Sequence, residues 1–260
     1  MRHLSHADTS VSYELPLRRS SSMKTVTRLT RIAPPPQVGP RARTYRLLLE
    51  HAMGIAQSGQ VPSVAQIAMQ AGVSRATAYR YFPTRSTLIA AMVNHSLGPV
   101  RSWRGESDDG RDRVAELFDQ TFPRFKEYEP QLRAALMIAV EHQLRESAGL
   151  LEEEPYRRGY RVGILQHAVE PLKRTLGPKG TERLIMALAM VYGIEPYVIW
   201  KDIFGANDRT VETVARWMAQ ALVDAALRDA RGASSSAPSQ TTRARGKSAK
   251  ARGNGTRTAR

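Results

Sequence analysis

Arg75, Tyr79 and Arg80 stand within six residues of one another in the stretch QAGVSRATAYRYF, Gln70 to Phe82. At about 100° per residue, counting Arg75 as zero, Arg75, Ala76, Tyr79 and Arg80 fall between roughly 0° and 140°, and Ala78, Tyr81 and Phe82 between roughly 240° and 340°. One face packs and the other presents. The presented face holds two guanidiniums that can fork onto guanine edges or phosphates, a phenol that can bond a phosphate oxygen, and a small residue that permits close approach. Thr77 sits at the border, near 200°, within reach of a thymine methyl or a backbone oxygen. The chemistry is that of nucleic-acid contact.

Catalytic and metal chemistry find little support. The sequence has no cysteine, G-x-S-x-G, H-E-x-x-H, P-loop or G-x-G-x-x-G, so thiol chemistry and the common nucleophile and phosphate motifs are excluded and no enzyme activity is expected. His142 and His167 lack a third ligand at metal spacing, so neither metal nor cofactor is expected. LLEEEP reads as a solvated loop.

The elements around the presenting face are legible. Val64, Ile67, Ala68 and Ala71 take the i, i+3, i+4, i+7 spacing of one helical face, with Ser63 ahead as N-cap. Gly72 suits a left-handed helix end, Val73 supplies an apolar plug, and Ser74 caps the next helix. Pro83 stops that helix, and another starts at Thr84 with Arg85 in its first turn, facing phosphate. The pattern is helix, tight turn, helix.

The segment SVAQIAMQAGVSRATAYRYFPTRSTLIAAMV closely resembles the DNA-binding domain of TetR-family transcriptional regulators, through its AGVSRATxYRYF core and the following R-x-x-L helix. The resemblance runs from Arg43 to Val93. It implies a three-helix head with the recognition helix in the major groove, and a helical effector and dimerisation body behind it. The positions that match the motif at DNA are Ser63, Arg75, Thr77, Tyr79, Arg80 and Arg85. Ala78 departs from the family's frequent leucine, and Thr84-Arg85 from its frequent serine or lysine.

The rest of the chain also has helical periodicity, with few β-branched alternations, and the fold is expected to be all-α. Helices are expected over 42–58, 63–71, 74–82, 84–97, 110–128, 130–147, 155–176, 180–205 and 208–229. The domains then run as an N-terminal arm (1–40), the helix-turn-helix head (41–98), the helical body (99–230) and a basic tail (231–260). Phe118, Phe122, Met137, His142, Tyr160 and His167 are candidate lining for a small-molecule pocket, although each also reads as ordinary core. Leu184, Leu188, Val191 and Val198 form one amphipathic stripe, and Val214, Met218 and Leu222 another. Similar helices in TetR-like regulators pair across a two-fold axis, so these are candidate homodimer contacts, the alternative being intramolecular packing. YGIEP resembles the family's G-x-E stretch, which assigns no role to Glu195, and Pro196 is expected to kink its helix just after Gly193.

The formal net charge of +15 is unevenly distributed. Residues 1–43 carry 8 basic against 2 acidic residues and 231–260 carry 8 against none, while 44–104 carry 6 against Glu50 alone and 105–230 carry 17 against 21. Both ends are too polar to offset ordering and read as disordered, and APPPQVGP favours an extended chain. Met23 opens a second candidate start. No apolar run approaches the roughly 20 residues of a membrane span, so the protein is expected in the cytoplasm. The expected function is a transcriptional repressor that binds a palindromic operator on double-stranded DNA as a homodimer and is released by a small-molecule ligand. The alternative is a nucleoid-type architectural protein dominated by its basic tails.

Overall fold

The computed structural model describes residues 34–156 and 158–235, and the rest of the expected arm and basic tail lies outside the described residues. Every regular element among the described residues is helical: α1 (Gly39–Gln57), α2 (Val64–Gln70), α3 (Arg75–Tyr81), α4 (Arg85–Ser102), α5 (Gly110–Glu127), α6 (Glu129–Ser147), α7 (Tyr160–Ala168), α8 (Lys173–Val191), α9 (Ile194–Phe204) and α10 (Asp208–Ser235), with one 3-10 turn at Glu170–Leu172. No single described helix is long and apolar enough to cross a membrane. The all-α reading stands.

Helix α1 starts at Gly39, inside the expected arm, because Pro40 in the first turn lacks only an amide that a helix start leaves unbonded anyway. Helix α10 runs to Ser235, past the expected start of the tail. Gly98-Pro99 is expected to end α4, yet the helix continues to Ser102. Pro99 leaves the His95 carbonyl without its helical donor, and Arg124 on α5 supplies one: Nη2 donates to His95 at 3.1 Å and Nε to Ser96 at 2.7 Å.

Two expected long helices are broken. The 155–176 segment becomes helical only at Tyr160 and breaks again at Val169, where Pro171 removes the donor for the His167 carbonyl and Arg113 Nη1 approaches it at 3.5 Å. The 180–205 segment separates at Tyr192-Gly193 into α8 and α9. Pro196 produces no kink because it falls in the first turn of the new helix, where no amide is required. Gly177, at φ 64° and ψ 177°, interrupts α8 near its start.

One apolar core runs through head and body. Helix α4 belongs to both. Its N-terminal turn follows α3 directly, and its remaining length packs on α5 and α6 with Leu88, Ile89 and Met92 fully buried. An aromatic group of Phe118, Phe122, Phe125, Tyr192 and Tyr197, with ring centroids 5.3 to 6.5 Å apart, holds α5 against α8 and α9. That core gives the head a rigid seat.

Candidate nucleic-acid interface and body cavity

The reading helix is built by its caps. The Ser63 hydroxyl accepts from the Gln66 amide at 3.2 Å while the Gln66 side chain accepts from the Ser63 amide at 2.9 Å, a complete capping box that starts α2. At the other end Val73 N–H donates to Ala68 O at 3.0 Å and Gly72 N–H to Met69 O at 3.3 Å, the paired bonds of a Schellman turn. Gly72 occupies the left-handed position that turn requires, at φ 64°. Ser74 then caps α3, its hydroxyl accepting from the Thr77 amide at 3.1 Å and lying 2.9 Å from Thr77 Oγ1.

Inward from α3, Ala78 and Phe82 are buried, and Tyr45 of α1 packs on Phe82 at 5.3 Å and Tyr81 at 6.4 Å. Outward, Arg75, Ala76, Tyr79 and Arg80 are exposed together, with Tyr79 46% accessible. A phenol left that open beside two arginines offers a positively charged strip, and Glu50 is the one acidic residue between positions 44 and 104. Thr77 is half-buried and turned towards its cap.

Two expected contact residues are otherwise engaged. Ser63 spends its acceptor on the capping box. The Arg85 guanidinium points back into the molecule, donating to the carbonyls of Pro62 at 3.3 Å and Val61 at 3.4 Å and pairing with Glu141 of α6 at 3.4 Å. It joins head to body, because the opening turn of α4 lies between the two and Glu141 is the anion within its reach.

The expected pocket residues do not converge. Phe118 and Phe122 are core, Met137 is 60% exposed, His167 packs edge-on against Trp103, and only Tyr160 of the six lines the body cavity. His142 is buried as a fastener: Nδ1 accepts from the Tyr156 amide at 3.0 Å, which puts the ring proton on Nε2, 3.4 Å from Glu153 Oε1. The cavity itself, about 360 Å³, lies between α4, α6, α7 and the α8–α9 junction. Its walls are Val93, Leu97, Leu132, Leu136 and Ile164, with charged groups Arg101, Arg158, Arg161 and Glu195.

Glu195 receives Arg158 and Arg161 together. Burial pulls its carboxyl up, but the two guanidiniums outweigh that and hold it below the usual carboxylate value. Burial pushes the Tyr156 and Tyr192 phenols up to about 12, and Tyr192 lies 2.9 Å from Thr121 Oγ1. The Arg101, Arg158 and Arg161 positions carry no helical-face signal in the sequence, and the G-x-E resemblance points to Glu195 without saying what it binds.

The expected dimer stripes are covered within the protomer to different degrees. Leu184, Leu188 and Val191 are buried in the protomer, where α10 packs on α8, and Val198, Val214, Met218 and Leu222 are half-buried. The outer faces of α8 and α10 expose Met186, Met190 and Trp217 instead. No group of three or more candidate metal ligands occurs among the described residues.

A capped helix pair that presents one cationic, phenol-bearing face from a helical body defines a helix-turn-helix protein. Residues 62–92 match the model for bacterial regulatory proteins of the tetR family. Through this head the chain is similar to regulators of that family. It is similar to the HTH-type transcriptional repressor LfrR of Mycolicibacterium smegmatis (strain ATCC 700084 / mc(2)155), 36% identical over 63 residues, which is 24% of this chain and 33% of that protein. The matched segment thus spans about a third of the curated relative's length. No solved structure matches the chain.

Proposed function

We propose that the protein is a DNA-binding transcriptional repressor that reads a palindromic operator as a homodimer and lets go when a small molecule occupies the body cavity. The observation that carries the reading is the shared exposure of Arg75, Tyr79 and Arg80 on a helix whose opposite side is pinned to the core. Such a helix enters the major groove as a rigid unit, with guanidiniums placed for base edges or phosphates. Ser63 and Thr77 stay within the proposed footprint, and Arg85 acts there through the geometry of the head. Repression is the activity for which the relative LfrR is named.

Release by a ligand has a mechanical basis in α4. Its first turn follows the reading helix, and Ala90, Val93, Leu97, Val100 and Arg101 further along it line the cavity. A molecule that favours a different seating of α4 changes the spacing of two heads on one operator, and it must bind that seating better to do so.

Retention of sheared genomic DNA on the purified protein at physiological salt, followed by sequencing, tests the function. A sharp two-fold-symmetric motif is the expected result. Retention without a motif would reject the operator reading in favour of an architectural role for the termini, where residues 231–260 hold 8 basic residues and no acidic one.

A further inference from the structure

We propose that the body cavity takes an amphipathic organic anion, an apolar molecule ending in a carboxylate, with Arg101 as its counter-ion. The proposal rests on the reading of the body as an effector domain and names the class of effector.

The cavity, at about 360 Å³, is in the range of small-molecule sites, and its apolar walls suit a hydrocarbon or aryl body. The charges on its lining do not balance: among the described residues three arginines face one carboxylate, Glu195. Glu195 is engaged by Arg158 and Arg161, and Arg161 is further held by donating to the Ala189 carbonyl at 3.1 Å.

Among the described residues Arg101 is left with neutral partners. Its Nη1 donates to Asn94 Oδ1 at 3.0 Å, and its guanidinium carbon lies 3.8 Å above the centre of the Tyr160 ring. Neither carries a negative charge, and the nearby Tyr156 phenol stays protonated because burial pushes it up to about 12. Removal from water pulls Arg101 below the usual guanidinium value, the direction expected of a cation that no anion relieves. A carboxylate entering between the apolar walls can accept two parallel N–H bonds from such a guanidinium and replace the solvation it has lost. A ligand cation would meet an excess of like charge, and the one carboxylate of the lining is already paired.

The test uses the full chain and three probes with one tail: decanoate, decanol and decylammonium, titrated calorimetrically below their micelle concentrations. Decanoate is expected to bind at least tenfold more tightly than decanol, and decylammonium more weakly than either. Arg101→Gln should bring decanoate to the level of decanol while leaving decanol unchanged, and Arg101→Lys should keep most of the preference, which separates lost charge from lost folding. Equal or tighter binding of the ammonium, a carboxylate preference that survives Arg101→Gln, or no binding of any probe would each overturn the proposal. Adsorption to the basic termini would show up as the second of these. Operator affinity with and without probe separates this claim from the effector reading: Arg101-dependent decanoate binding with unchanged operator affinity sustains the anion site and rejects the effector role, whereas release by decanol or decylammonium alone does the reverse.

Discussion

The Ser86 hydroxyl donates to the Glu154 carbonyl at 2.8 Å, fastening the second residue of α4 to the loop that brings Tyr156 into the cavity wall. Two residues of that loop also reach His142, Tyr156 through its amide and Glu153 through its carboxylate, so head, loop and α6 meet at one buried point. His142→Ala would leave the Tyr156 amide without an acceptor, at a cost of roughly 1–3 kcal/mol for an orphaned buried donor. Urea unfolding should show that loss. Ser86→Ala removes one bond, worth about 0.5–1.5 kcal/mol, and if the loop transmits ligand binding it should reduce the operator release produced by a ligand while leaving ligand affinity intact. Release unchanged from wild type would place the coupling elsewhere.

Single alanine substitutions at Arg75, Tyr79 and Arg80 should each weaken operator binding by about 1–3 kcal/mol with no change in melting temperature, since the side chains are exposed and hold nothing in the fold. Fluorescence anisotropy across a salt series distinguishes their roles. Removing a phosphate ligand lowers the salt slope by about one and weakens all sequences alike, whereas removing a base-reading side chain relaxes preference at one position. Arg85→Ala should behave differently. It removes ties to Val61, Pro62 and Glu141, so a drop in stability should accompany any drop in affinity.

The head was legible because its signals are local. Ser63, Gly72, Ser74 and Thr84 act on residues three positions away, and the sequence spacing alone sets which side of α3 faces out. The body was less legible because its deciding contacts are distant in sequence. Nothing near Pro99 announces that Arg124 will take over the His95 carbonyl, and nothing near Arg101 announces Tyr160. The stripe of Leu184, Leu188 and Val191 was correct as an apolar face, but periodicity cannot say whether α10 of the same chain or a second chain covers it.

That distinction sets the dimer prediction. Met186, Met190 and Trp217 are 65%, 75% and 68% exposed on the outer sides of α8 and α10, apolar area that the proposed homodimer would cover. Trp217→Glu together with Met190→Glu should convert a sedimenting dimer into a folded monomer and reduce operator affinity at least tenfold, because two heads no longer bind as one. A double variant that still sediments as a dimer would move the interface to another face.

Gly193 lies at φ 144° with the Arg161 guanidinium packed where a side chain would begin. Gly193→Ala must therefore both strain the backbone and push Arg161 away from Glu195. A stability loss of about 1–3 kcal/mol is expected from the backbone alone. Glu195 should then be neutralised by Arg158 alone, which leaves more negative potential in the cavity, so decanoate binding should fall in this variant more than decanol binding does. Equal loss for both probes would mean that the cavity had collapsed rather than changed charge.

Asp208, at the start of α10, accepts from Tyr197 at 2.6 Å and Lys201 at 2.7 Å, and Lys201 also reaches Glu129 of α6 at 3.1 Å, so one small network ties α6, α9 and α10. The Lys201 ammonium, with help from the Tyr197 hydroxyl, holds the Asp208 carboxyl below its usual value of 3.8, and Asp208 in turn holds Lys201 above 10.5. A carboxyl lowered in the folded state contributes stability that is present above its ordinary value and lost as pH falls through the lowered one; a raised ammonium contributes stability that is present below its ordinary value and lost as pH rises through the raised one. Unfolding midpoints should therefore hold level through neutrality and fall below about pH 4 and again above about pH 10.5. Asp208→Asn should lower the plateau, remove its own part of the acid shoulder and reduce the alkaline one, where Glu129 still holds Lys201 up. If the acid shoulder kept its full slope in that variant, other carboxylates would be carrying the acid response, Glu195 between its two arginines first among them.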